Sequence, residues 1–78
     1  MKDAIITFIT DEILEEDERI DADENLLADG MVDSLGMLRL IGFIDEQFGL
    51  VIPPEDFILD NFRTVNQLMS YLARRSAE

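Results

Sequence analysis

Asp33 and Ser34 set a carboxylate and a hydroxyl side by side where an aperiodic stretch gives way to a helical repeat. A serine needs a base to become a nucleophile. This chain has no histidine, no cysteine and no lysine near Ser34. Serine ahead of an apolar-periodic segment most often caps the helix that follows. Asp33 would serve as the cap equally well, and Ser34 would then stand in the first helical turn with its hydroxyl free. A helix N-terminus also accommodates a phosphate group. The position suits a serine that is modified by another protein better than one that performs chemistry itself.

A second cluster, Asp21, Asp23 and Asn25, has the spacing that begins a calcium loop. That loop requires glycine at its sixth position and glutamate at its twelfth, where this chain has Leu26 and Val32. A solvated acidic loop is the expectation instead. With neither histidine nor cysteine, a thiolate or imidazole metal site and a disulfide are out of reach, and a self-contained enzyme is not expected. The formal net charge of −12 repels nucleic acid and anionic membranes and attracts basic protein surfaces. Half of the acids lie between Asp11 and Glu24. No apolar run approaches membrane-spanning length, and the N-terminus lacks the shape of a signal peptide, so a cytoplasmic location is expected.

The elements that must hold these residues are helical. Residues 3 to 16 repeat as a helix with Ile5, Ile6, Ile9 and Ile13 on one side and Phe8 at its edge. Residues 17 to 33 show no period, and a loop that long is usually functional or disordered. Leu26, Leu27, Met31 and Val32 argue for order by pinning it to the bundle. A turn from Gly30 to Asp33 leads into a helix of about four turns ending at Phe48, with Gly49 placed to stop it. Met37, Leu40, Ile41, Ile44 and Phe48 share its inward face. Leu35, Arg39, Gly42 and Glu46 point outward, with Leu38 and Asp45 on the flank. Leu50-Val51-Ile52 could be a strand but has no partner, so a buried connection is expected. Pro53 to Asp56 starts a short helix ending near Asn61. Thr64 to Gln67 fits a capping box for a last helix with Val65, Leu68, Met69 and Leu72 inward. The expected fold is all-α, a four-helix bundle of three longer helices and one short third helix, with a long first loop. One domain spans 1–78, and a monomer is expected.

Asp33-Ser34-Leu35, with Gly30 before it and an amphipathic helix ending Phe48-Gly49 after it, resembles the attachment motif of acyl carrier proteins and the related peptidyl, or aminoacyl, carrier proteins. Ile52-Pro53-Pro54-Glu55-Asp56-Phe57 is similar to the family's isoleucine-proline-acid segment. Asn61-Phe62-Arg63-Thr64-Val65 resembles the stretch that opens its last helix. The likeness covers essentially the whole chain, and its fold is acyl-carrier-like. It implies that Ser34 receives 4′-phosphopantetheine from coenzyme A through a separate magnesium-dependent phosphopantetheinyl transferase. Acyl or aminoacyl groups would then ride as thioesters on the arm's thiol. By the same resemblance Asp33 and Leu35 meet the transferase. Leu38, Arg39, Gly42, Asp45 and Glu46 dock loading and downstream enzymes with basic surfaces, and Ile52 flanks the arm.

Where carriers of fatty acid synthesis usually have an acid after Asp-Ser-Leu, this chain has Gly36. Arg39 stands in place of a common acid, and Gly42 in place of a larger apolar residue. The Asp-Ser-Leu-Gly form is similar to specialised-metabolite, aminoacyl and D-alanyl carriers, so that class of cargo is expected over a housekeeping fatty acid role. The chain is expected to stand alone and to catalyse nothing itself. The alternative is an unmodified helical interaction domain of the same fold.

Overall fold

The computed structural model describes residues 1–15, 18–28 and 31–77. Gly30, where the expected turn begins, and Glu16, the expected end of the first helix, lie outside them. Helix α1 (Lys2–Phe8) runs on into a wider π-helical turn (Ile9–Ile13). Helix α2 (Ser34–Phe48) is followed by a 3₁₀ turn (Pro54–Asp56), the single-turn helix α3 (Leu59–Phe62) and helix α4 (Val65–Ala77). The four-helix order is the expected one, and no strand occurs among the described residues.

The first helix is shorter than its apolar repeat suggested. The Leu14 N–H reaches back five residues to the Ile9 carbonyl at 2.9 Å, which widens the last turn. Glu15 then takes a left-handed conformation at φ 54° and ends the helix before residue 16. Ile5, Ile6 and Ile9 are buried as their spacing requires, and Ile13 is half-buried. Thr10 is buried too, because its Oγ1 accepts the Ile20 N–H at 3.3 Å.

The long loop is held down by Ile20, Leu26 and Val32, all buried. Leu27 and Met31 are only half-buried. Of the calcium-like residues, Asp21 and Asn25 turn their side-chain oxygens onto their own backbone. Asp21 Oδ1 accepts the Asp23 N–H at 2.9 Å, and Asn25 Oδ1 accepts the Leu27 N–H at 3.0 Å. These are Asx turns, the ordinary use of such residues in a loop. The loop is tied to α4 through the Asn66 N–H and the Ala22 carbonyl, at 3.0 Å, and through the Asn66 side-chain amide donating to Asp23.

The expected short helix after Pro53 is split. The 3₁₀ turn ends at Phe57 (φ −77°, ψ 54°), and Ile58 is extended (φ −104°, ψ 148°) before α3 begins. Asp56 ties the turn to its neighbours. Its carboxylate accepts from the Tyr71 hydroxyl and stands 4.0 Å from the Arg75 guanidinium, while its carbonyl accepts the Asn61 side-chain N–H at 3.0 Å. Tyr71 is thereby buried on α4 beside the expected Val65, Leu68 and Leu72, with Met69 half-buried. In the connection before the turn only Ile52 is buried; Leu50 is half-buried and Val51 is exposed.

On α2, Leu40, Ile41 and Ile44 are buried, whereas Met37 and Phe48 are half-covered. Phe43 stacks on Phe8 of α1 with ring centroids 4.2 Å apart and meets Phe48 edge-on at 6.0 Å. Gly49 ends the helix at φ 66°, its N–H donating to the Asp45 carbonyl at 2.8 Å. No helix among the described residues is long and apolar enough to cross a membrane.

Candidate functional site

The cap of α2 decides what Ser34 is free to do. Asp33 is extended (φ −87°, ψ −174°), and its Oδ1 accepts the Gly36 N–H at 2.8 Å. Its carbonyl accepts the Met37 N–H at 2.9 Å, the first intrahelical bond. Asp33 is therefore the N-cap, and Ser34 is the first helical residue. Ser34 is exposed, and among the described residues its hydroxyl makes no hydrogen bond. Of the two arrangements open to this sequence, the structure adopts the one that spares the serine.

Gly36 sits under this cap and is buried. A Cβ there would lie 3.1 Å from Ile13 Cγ2 and 3.4 Å from both Asp33 Oδ1 and Val32 Cγ1. The missing side chain lets the end of the first helix close against the start of α2. The sequence offered only the glycine itself as a hint, since nothing nearby announces the contact with Ile13.

The lead-in to α2 is fixed by backbone bonds. The Val32 N–H donates to the Leu26 carbonyl at 2.8 Å, and the Leu26 N–H donates to the Arg63 carbonyl at 2.7 Å. Two hydrogen bonds thus connect the peptide before Asp33 to the junction of α3 and α4.

Along α2, Leu35, Leu38, Arg39, Gly42, Asp45 and Glu46 are all exposed. Leu35 is 67% and Leu38 54% exposed, so the face opens with two uncovered leucines one turn apart. A Cβ at Gly42 would meet nothing within 4 Å. Ile52 is the correction to the expected set. At 4% exposure it belongs to the core, because the connection turns Val51, at 64%, outward instead. Ile58 and Leu59, at the start of α3, are exposed as well.

The family model described as "Phosphopantetheine attachment site" matches residues 3–72. The chain belongs to that family. A D-alanyl carrier protein of Abiotrophia defectiva is 27% identical over 77 residues, covering 99% of this chain and 98% of the relative. An acyl carrier protein of Syntrophobacter fumaroxidans is 31% identical over 77 residues, covering 99% and 93%. A chain in the crystal structure of an FAD-dependent dehydrogenase is 33% identical with a TM-score of 0.80, covering 88% of this chain and 99% of that one. The acyl-carrier resemblance and the all-α fold are thereby established.

The family's cofactor is 4′-phosphopantetheine, and the residues at the head of α2 fit it. A phosphodiester there would face the Ser34 and Leu35 N–H groups, the first of the helix, which no carbonyl four residues back within the helix can satisfy. Leu35 and Leu38 would offer apolar surface to an arm attached there.

Proposed function

We propose that Ser34 bears the phosphopantetheine and that residues 1–78 act as one carrier domain, moving acyl or aminoacyl groups between partner enzymes. The observation that carries this is the division of labour at Asp33-Ser34. The carboxylate takes the capping bond and leaves an exposed hydroxyl. The serine oxygen takes the phosphopantetheinyl group from coenzyme A, its proton is lost, and the nucleotide portion leaves. The transferase and its magnesium supply the activation that this chain's residues do not. Once attached, the arm supplies a terminal thiol that holds cargo as a thioester. The chain's own part is to hold the attachment point at the surface, to offer Asp33 and Leu35 to the transferase, and to dock later enzymes on the outward face of α2.

The aminoacyl, D-alanyl or specialised-metabolite class of cargo is favoured by Gly36 and by the similarity to a D-alanyl carrier protein. The similarity to a chain in the crystal structure of an FAD-dependent dehydrogenase adds oxidation of the carried group, with two hydrogens passing to a flavin, to the reactions worth testing. The carrier catalyses nothing itself and works as a cytoplasmic monomer among enzymes with basic docking surfaces.

Incubation with coenzyme A, magnesium and a broad-specificity phosphopantetheinyl transferase tests the attachment. Intact mass should rise by one phosphopantetheine in the native chain and not at all in Ser34→Ala. No gain in the native chain, or a gain that survives Ser34→Ala, overturns the assignment and favours an unmodified interaction domain. A panel of adenylating enzymes for D-alanine, L-amino acids and fatty acids then identifies the cargo by radiolabel transfer to the modified chain.

A further inference from the structure

We infer that the enzyme surface laid against α2 carries a carboxylate opposite Arg39, between an apolar socket for Leu35 and Leu38 and cations facing Asp45 and Glu46. This deepens the docking role proposed above and rests on it. Residues three and four positions away are neighbours on a helix surface. Those neighbours of Arg39 are Leu35, Gly36, Gly42 and Phe43, none of them an acid. Three other arginines do have carboxylate partners: Arg19 with Asp3 and Arg63 with Asp60, each at 3.1 Å, and Arg75 with Asp56 at 4.0 Å. Among the described residues Arg39 and Arg74 have none. Arg74 lies in the last turn of α4, where the helix dipole favours a cation. That leaves Arg39 as the unexplained one in a chain of net charge −12.

The helix macrodipole does not account for this cation. It favours positive charge in the last turn of a helix, and Arg39 lies near the middle of α2. Beside it, the space over Gly42 is open, with nothing within 4 Å of where a Cβ would stand. A carboxylate from outside can therefore approach the planar guanidinium across the bare backbone. The guanidinium's fork of donors matches a carboxylate in two-point contact.

The outward face then has an order: two leucines, a cation, a gap, and two acids at Asp45 and Glu46. From Leu35 to Glu46 this spans roughly 16 Å at about 1.5 Å per residue. A uniformly basic partner would meet the acids well but would be repelled at Arg39. A partner with one acid in the right place would be held in a single register and direction. Complementary charge across an interface sets specificity and encounter rate in this way, and a misplaced like charge rejects wrong partners.

Charge reversal separates the two kinds of partner by sign. Native and Arg39→Glu chains are converted to the holo form by the transferase and charged by whichever adenylating enzyme of the panel loads the native chain. The inference expects kcat/KM for charging to fall at least about tenfold in Arg39→Glu, as a coupling above 1.4 kcal/mol requires. Reversing one acid on the enzyme to lysine should restore it. Both chains are taken to complete Ser34 modification, checked by intact mass, and the thermal melt of Arg39→Glu should match the native chain, which removes misfolding as the cause. Unchanged charging, faster charging, or a loss that no reversal on the enzyme restores overturns the inference and leaves the carrier assignment standing. A native chain that accepts no phosphopantetheine, or a holo chain that no enzyme charges, brings down the carrier reading itself and this inference with it.

Discussion

Two helices of this molecule have a hydroxyl at or next to their first turn, and the two hydroxyls do different work. At α4, Thr64 is the cap: its Oγ1 accepts the Gln67 N–H at 3.0 Å, and the residue is half-buried. At α2 the capping oxygen belongs to Asp33, one residue earlier than the serine, and Ser34 stays exposed. Both ends satisfy one of the orphan donors of a helix start. A displacement of one residue separates a hydroxyl consumed by the cap from one left exposed, even though both sequences look like ordinary helix beginnings.

The largest effect that should break this contrast is chemical. Ser34→Ala should abolish phosphopantetheine uptake entirely, whereas Thr64→Ala should take it up at the native rate, both read by intact mass. For stability the order reverses. Thr64→Ala and Asp33→Ala should each cost about 1 kcal/mol in urea denaturation, while Ser34→Ala should stay within about 0.5 kcal/mol. An equal loss in Ser34→Ala would mean that the serine, too, is a cap. Asp33→Asn keeps the capping acceptor and should lose only a few tenths of a kcal/mol. Next come the two glycines of α2. Gly42→Ala should raise stability by up to about 1 kcal/mol, because helix propensity improves in open space. Gly36→Ala should gain less or lose, since its Cβ would meet Ile13 Cγ2 at 3.1 Å. The smallest effect is on the surface. Asp3→Ala removes the pair with Arg19, whose side chains are 90% and 56% exposed, and should change stability by less than about 0.5 kcal/mol. Even that should fade in high salt.

Much of this was legible from periodicity. The inward leucines and isoleucines of α2 and α4, the stop at Gly49 and the Thr64 cap all follow from spacing and local chemistry. So does the outward face from Leu35 to Glu46. What escaped was set by contacts between distant segments. Thr10 is buried because Ile20, ten residues on, needs its oxygen. Tyr71 is buried because Asp56 receives its hydroxyl. The first helix ends early through a five-residue reach-back that the apolar repeat does not encode. At the site the sequence left two capping arrangements open, since aspartate and serine cap about equally well. The structure uses the Asp33 carboxylate, and beside that cap Gly36 packs against Ile13, a contact that no local pattern displays.

The paired backbone bonds from Val32 to Leu26 and from Leu26 to Arg63 bear on how far cargo can roam. A tether sweeps a volume set by its own length only if its fulcrum stays still. If Ser34 bears the tether, Val32, two residues before it, is tied through Leu26 to the junction of α3 and α4, and the swing would belong to the tether alone. The slowest amide protons to exchange near the site should accordingly be those of Leu26 and Val32.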